Sequence, residues 1–350
     1  MAASAARRPA AAGTVAINGR AVVREQIGGV ERFAREMAAR LPTLRPERYR
    51  VITPPPALAH RAGHAWEQAV LPARIRHATL LYSPANLAPV LCRRNVVVLY
   101  DVAALRHPEA YSAAYVAYQR RMLPAIARRA RMVLTISEFS RGELIEVLDV
   151  APDRVMVIPP GVDERFRPDV DASAVRARFR LTKPYVLAVG TASARKNLAV
   201  LDDVGPTLAE QGLELVVAGS DRAYLRAPDT AARRIGYVPD RDLPALYAGA
   251  RALVMPSFYE GFGLPCLEAM AAGVPVVAAN TSALPETCGD AALLVSPEDP
   301  TAIAAALLRV CCEEASRTGL IAAGIRRAAE YSWTRTVSLT DRLIGELLAE

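Results

Sequence analysis

The sequence contains no uninterrupted apolar run approaching the ~20 residues of a membrane-spanning helix, so no span is expected. It is also poor in paired cysteine. Cys92, Cys266, Cys288, Cys311 and Cys312 are odd in number and show no C-x-x-C spacing, so reduced and mostly buried thiols are expected. The four histidines, His60, His64, His77 and His107, form no H-x-x-x-H pair, and no zinc site or structural metal is expected. Residues 1–13 carry Arg7 and Arg8 without an apolar h-region, which reads as a disordered tail rather than a signal peptide and suggests a cytoplasmic protein. A dinucleotide fingerprint is missing as well, because Gly28-Gly29 has neither the third glycine nor the acidic partner.

Lysine is absent from the first half of the chain. Residues 1–165 hold 24 arginines, no lysine and 14 acidic residues, a net charge of +10, whereas the remainder holds 19 basic and 22 acidic residues, net −3. Nucleic acid, an anionic membrane surface or an anionic substrate would each answer such an asymmetry. So would the arginine-rich, alanine-rich composition of a GC-rich coding sequence. A nucleic-acid partner is not expected, because this half shows no recognition helix and no interleaved aromatics.

At 350 residues and 52% hydrophobic composition, the chain suits two packed domains. Each half repeats strand–loop–helix units. In the first, the apolar run Thr14–Asn18 is followed by Gly28-Gly29 and by Val30, Phe33, Met37 and Leu41 at helical spacing. Further strands are expected at 95–100, 132–137 and 155–160, and residues 42–95 should hold short strands with irregular connections. The stretch 113–131 reads as a helix kinked at Pro124, with a basic face made by Arg120, Arg121, Arg128, Arg129 and Arg131 that would suit an anionic bilayer. Residues 167–180 are charged, lack a strand pattern and read as the linker. The second half has strands at 185–189, 213–219, 252–255, about 275–278 and 291–295, which is the doubly wound pattern again.

The segment around which the chain is organised is Tyr259–Met270, Y-E-G-F-G-L-P-C-L-E-A-M. Glu260-Gly261-Phe262-Gly263 reads as a tight loop opening a helix at about Leu264. Its glycines let backbone approach a ligand, and the first free N–H groups of the helix favour an anion. Glu268 lies a turn further on, where a carboxylate could take vicinal hydroxyls, so a polyol carrying a phosphate is the ligand suggested. Upstream, Gly190 ends a strand and Arg195-Lys196-Asn197 follows: glycine for close approach and two cations for a diphosphate.

The Glu260 to Glu268 pattern with the G-F-G-L-P loop resembles the E-x7-E signature of retaining GT-B glycosyltransferases of family 4. N-G-R and G-G-V-E-R-F near the start, H-P-E at His107, P-G-V-D at 160–163, R-K-N at 195–197 and N-T-S-A-L-P-E at 280–286 extend the likeness from about Asn18 to Trp333. The resemblance implies two Rossmann-like doubly wound domains facing a cleft. Residues 14–167 would form the acceptor side, 181–330 the nucleotide-sugar side, and the helix 331–350 would cross back near Trp333. It implies that Glu260 and the amides of Gly261, Phe262, Gly263 and Leu264 hold the donor sugar and that Glu268 holds the ribose. Arg195 and Lys196 would neutralise the departing diphosphate beside Gly190, Val238 would lie against the base, and Gly28 and Gly29 would face the phosphates and the acceptor.

Asp101 and Tyr100 complete the implied catalytic set. Tyr100 stands where the family usually has a histidine, which points either to a different contact or to a sugar lacking the group contacted there, as in a 6-deoxy sugar. Thr191 stands where some relatives carry arginine, so the clamp would rest on the later pair. The activity implied is transfer of mannose or rhamnose from GDP-mannose or GDP-rhamnose, without a required cofactor, to a glycan or lipid-linked glycan. The basic half would meet the inner face of the plasma membrane. A UDP-glucose-type transferase, a GT-B nucleotide-sugar epimerase and a non-catalytic nucleotide-sugar-binding protein remain open alternatives at the level of sequence.

Overall fold

The computed structural model describes residues 13–55, 58, 62–219, 224–226, 230 and 232–350; the expected tail, save Gly13, and His60 lie outside the described residues. The fold is α/β, built on two six-stranded sheets with parallel pairing. The first sheet comprises β1 (Val15–Asn18), β2 (Tyr49–Ile52), β3 (Leu80–Ser83), β4 (Asn95–Val98), β5 (Met132–Thr135) and β6 (Val155–Val157), in the order β2-β1-β3-β4-β5-β6. The second comprises β7 (Tyr185–Val189), β8 (Glu214–Ala218), β9 (Arg233–Gly236), β10 (Ala252–Met255), β11 (Val276–Ala279) and β12 (Ala292–Val295), in the order β12-β11-β10-β7-β8-β9.

These strands are short apolar runs because both faces of a parallel sheet are covered by helices, so the sequence shows continuous hydrophobicity rather than alternation. On one face of the second sheet, Val186, Ala188, Leu215, Val217, Val254 and Val277 pack with Leu201, Val204 and Leu208 of the Val200–Glu210 helix. Ile303, Leu307 and Val310 of the Pro300–Cys312 helix join the same core. Truncating one such leucine to alanine is worth about 2–5 kcal/mol.

The expected helix runs as Ala113–Arg129 with Pro124 inside it, and Leu123, Ile126 and Ala127 are buried beside the proline. Two readings of the chain change in the structure. The 42–95 region carries helical turns, Gly63–Ala65, Trp66–Val70 and Leu71–Arg74, between β2 and β3. The charged stretch after residue 167 holds the short helix Ser173–Arg178, and Glu314–Ala329 forms a further helix that hydrophobic spacing did not reveal.

The chain divides into two compact units. Among the described residues, one contains those up to Leu99 with Leu123–Leu134 and Val337–Glu350, and the other those of Tyr100–Met122 and Thr135–Thr336. In the first, Asp341 of the Trp333–Ala349 helix accepts hydrogen bonds from Arg45 Nε at 3.0 Å, Arg48 Nη1 at 2.9 Å and the Tyr49 hydroxyl at 2.7 Å. Burial pushes its carboxyl pKa up, but the bonds from Tyr49 and Arg45 and the charges of Arg48 and Arg45 outweigh burial and hold it below the usual range. A depressed carboxylate contributes stability above its unfolded pKa and loses it as pH falls through the folded one. Asp341→Asn should therefore cost about 2 kcal/mol at neutral pH, measured by urea unfolding, and the deficit should shrink below the ordinary aspartate range.

Candidate functional site

In an open parallel sheet, ligands sit beyond the carboxyl ends of the strands where the winding direction reverses. In the second sheet this point lies between β7 and β10, since β8 and β9 continue to one side and β11 and β12 to the other. Gly190, Arg195 and Lys196 follow β7; Tyr259, Glu260 and Gly261 follow β10. The topology thus brings together two segments about 65 residues apart in sequence.

Glu260 is the centre of the cluster. Lys196 Nζ donates to Glu260 Oε1 at 2.5 Å, and Arg195 Nη1 lies 3.4 Å from Oε2 while donating to the Tyr259 carbonyl at 2.8 Å. Burial opposes ionisation of Glu260, yet Lys196 and Arg195 prevail and hold its pKa down at about 2. Burial lowers the Lys196 pKa against the pull of Glu260, and Arg195 is held firmly cationic despite its own burial. Lys196 reaches Glu260 by crossing Gly190, whose φ is +157°; a Cβ there would stand 3.1 Å from Lys196 Cε. Arg195 and Lys196 lie on the 3-10 turn Ala194–Lys196 rather than on a regular helix, and Asn197 closes the turn at φ 53°. Arg195 Nε and Ser193 Oγ are buried with no hydrogen-bond partner among the described residues, so polar capacity remains for a ligand.

The Glu260–Gly263 loop is locked on several sides. Glu260 N donates to Ser282 Oγ at 2.9 Å, with Ser282 itself at φ 53°. The Gly261 carbonyl accepts from Ser137 Oγ at 2.6 Å and Ser140 Oγ at 2.9 Å. Only glycine fits at 261, because a Cβ would meet the Tyr100 carbonyl at 2.9 Å and Asp101 Cβ at 3.1 Å. Tyr100 is buried, and Asp101 Oδ1 accepts from Ala103 N at 3.0 Å. The Phe262 ring meets Tyr331 edge-on at 5.6 Å and its carbonyl accepts from Thr287 Oγ1. Gly263 caps the helix Leu264–Ala271, in which Glu268 is buried and accepts the Tyr247 hydroxyl at 2.9 Å. Val238 is buried just after β9.

Gly28 and Gly29 belong to the other compact unit, at the start of the helix Gly29–Leu44. The Gly28 amide is capped by Glu31 Oε2 at 3.0 Å, and Arg24 lies 3.7 Å from the other oxygen of that carboxylate. In the same unit, Asn18 and Arg20 converge on Glu67, which is shut off from water. Asn18 Nδ2 donates at 2.6 Å and Arg20 Nε at 3.0 Å to Glu67 Oε1, while Arg20 Nη2 reaches the Ala85 carbonyl at 3.2 Å.

Several participants escape sequence reasoning. Ser137 caps the helix Glu138–Leu148, its Oγ accepting from Ser140 N at 3.0 Å, and the hydroxyls of both serines also hold Gly261. Glu286 spends its carboxylate on the amides of Glu138 and Phe139, at 2.8 and 3.0 Å. Tyr111, Tyr115 and Tyr224 stack with centroids 5.4 and 4.6 Å apart, and the Tyr111 hydroxyl feels the charge of Arg195. Tyr111 is extended and precedes the helix that carries Tyr115, so helical spacing could not pair them, and Tyr224 comes from a distant segment.

A model described as Glycosyltransferase Family 4 matches residues 75–166, and one described as Glycosyl transferases group 1 matches residues 183–313. The chain is 33% identical over 298 residues to the O-antigen chain mannosyltransferase B of Escherichia coli, covering 81% of this chain and 77% of that protein. It is 36% identical to a D-inositol 3-phosphate glycosyltransferase of Salinispora tropica over 64% of this chain, spanning about half (52%) of that protein. Sucrose-phosphate synthase from Thermosynechococcus elongatus superposes with a TM-score of 0.75 at 20% identity, over 96% of this chain and 99% of that one. Two doubly wound parallel sheets with these likenesses define a GT-B glycosyltransferase. The chain belongs to glycosyltransferase family 4.

Glu260→Gln leaves the Lys196 ammonium buried without its counter-charge, and should cost about 3 kcal/mol at pH 7 in a denaturant titration. The depressed Glu260 pKa means that the wild type sheds this contribution between pH 4.5, the ordinary value, and about 2. The stability of the variant should vary less across that window.

Proposed function

We propose that this glycosyltransferase moves mannose or rhamnose, with retention of configuration, from a GDP-linked donor to a glycan or lipid-linked glycan. The carrying observation is the buried Lys196–Glu260–Arg195 cluster at the switch point of the second sheet. A diphosphate arriving there meets two cations already in place, and water does not screen them. As Lys196 turns toward phosphate, Glu260 is released to accept hydroxyls of the donor sugar, and the Gly261–Leu264 amides face the same ligand. Glu268 takes the ribose, and Val238 lies against the base.

In this mechanism, charge builds on the departing phosphate oxygen as the glycosidic bond breaks, and Arg195 and Lys196 stabilise it. The same oxygen receives the proton of the incoming acceptor hydroxyl on the face from which it departs. No separate protein base is needed, and catalysis is positioning with charge stabilisation. The locks on Gly261 keep the loop in its working geometry before the substrate arrives. We assign donor recognition to residues 181–330 and acceptor recognition to 14–167, with Gly28 and Gly29 toward the phosphates and acceptor. Tyr100, in place of histidine, favours a 6-deoxy sugar, with Asp101 beside it. No helix among the described residues is long and apolar enough to cross a membrane; contact with an anionic bilayer would fall to Arg128 and Arg129 at the end of the Ala113–Arg129 helix.

Thermal unfolding in the presence of GDP, UDP, ADP and their sugar conjugates tests this reading. At a ligand concentration 100 times its Kd, the favoured nucleotide should raise the wild-type midpoint by about 5 °C. Glu268→Ala and Lys196→Ala should each abolish the shift, measured from the midpoint of the unliganded variant. A wild type unmoved by every nucleotide, or variants that shift as the wild type does, would refute the donor site.

A further inference from the structure

A cavity of about 700 Å³, in the range of small-molecule sites, opens in the same compact unit as the cluster. Its apolar wall is Pro108, Tyr111 and Val116; its charged wall is Arg120 and Arg121 from the Ala113–Arg129 helix together with Arg226. The single carboxylate on its lining, Glu109, is engaged by His107 Nδ1 at 3.1 Å. None of the three guanidinium groups has an ion-pair partner among the described residues. The cavity is therefore cationic and half apolar, which selects an amphiphilic anion.

Its position ties it to the reaction. Tyr111 lines the cavity and its hydroxyl also lies within the electrostatic reach of Arg195. The backbone fixes the two together: Ser112 N donates to the Tyr224 carbonyl at 2.8 Å, Arg226 N to the Ala110 carbonyl at 2.9 Å, and Ala194 N to the Arg226 carbonyl at 2.7 Å. One strap of chain thus carries Arg226 to the cavity and braces the turn that holds Arg195 and Lys196. A flat bilayer would use arginines spread over one convex helix face. Here two arginines from a helix and one from a separate strap line a single cavity, as a discrete phosphate site requires.

We propose that this cavity binds the phosphate or diphosphate of an amphiphilic acceptor, with the adjoining apolar carbon chain laid against Pro108, Tyr111 and Val116. The proposal rests on the glycosyltransferase reading above and narrows its acceptor to one that carries phosphate next to an apolar chain.

The test is titration of the full chain with decyl diphosphate below its micelle concentration, with and without the nucleoside diphosphate of highest affinity. Parallel arms use inorganic pyrophosphate and phosphatidylglycerol vesicles. All are repeated for Arg120→Ala with Arg121→Ala and, separately, for Arg226→Ala; these side chains are exposed, so both variants should fold. Saturable decyl diphosphate binding is expected in the presence of nucleotide, weaker by about tenfold or more in each variant. Nucleotide affinity should be unchanged, and pyrophosphate should bind less well than decyl diphosphate. Absence of saturable binding, equal affinity in wild type and variants, or loss confined to vesicle binding would overturn the proposal. Nucleotide binding that depends on Lys196 with no decyl diphosphate site would sink this inference alone. Absent nucleotide binding would instead sink the donor site, and the nucleotide-free titration would still decide the cavity.

Discussion

An ammonium and a carboxylate, both largely shut off from water, face each other at 2.5 Å between the segments that follow β7 and β10. Removing two charges from water costs several kcal/mol each, and their attraction offsets this only when the geometry is good and the remaining valences are filled. Much of the surrounding structure fills them. Tyr259 offers its carbonyl to Arg195, Ser282 takes the Glu260 amide, and Gly190 leaves the channel that the lysine crosses. Two residues other than glycine hold positive φ at the edge of this cluster, Asn197 and Ser282. Such backbone strain, of order 1–3 kcal/mol each, persists where the neighbourhood over-determines it. Asn197 is held by its side-chain bond to the Pro297 carbonyl at 2.7 Å.

A pair like this contributes little net stability compared with apolar residues of the same volume. Its sense lies in readiness: the charges are assembled and desolvated before a ligand arrives, so binding does not have to gather them. The lock on Gly261 has the same effect on the neighbouring loop, since two serine hydroxyls and the backbone of Tyr100 leave its peptide almost no freedom.

The strands were legible because continuous runs such as Tyr185–Val189 and Ala252–Met255 can only be buried on both faces. The loop and helix around Glu260 and Glu268 were legible from spacing, since eight residues span one tight turn and the opening of a helix. Strand order was not, because nothing local in Val186 or Leu253 tells which neighbour each will choose; the order places Gly190 beside Glu260 through the contact of β7 with β10. The ion pair was hidden for that reason, as Lys196 and Glu260 are 64 residues apart. The helix around Pro124 was legible from spacing, and burial of Leu123, Ile126 and Ala127 holds it. The Tyr111 stack was invisible because its third ring, Tyr224, comes from a segment without periodicity.

The chain holds only two lysines among its 43 basic residues, Lys183 and Lys196. Lys183 is exposed, whereas Lys196 is buried, with its amine bound to Glu260. Acylating reagents that attack free amines therefore meet one accessible side chain, while the second reacts only when its carboxylate partner lets go. The protein can be tethered to a surface or carry a dye at Lys183 with the buried amine left untouched. Slow acylation of Lys196 would in turn report how often the ion pair opens.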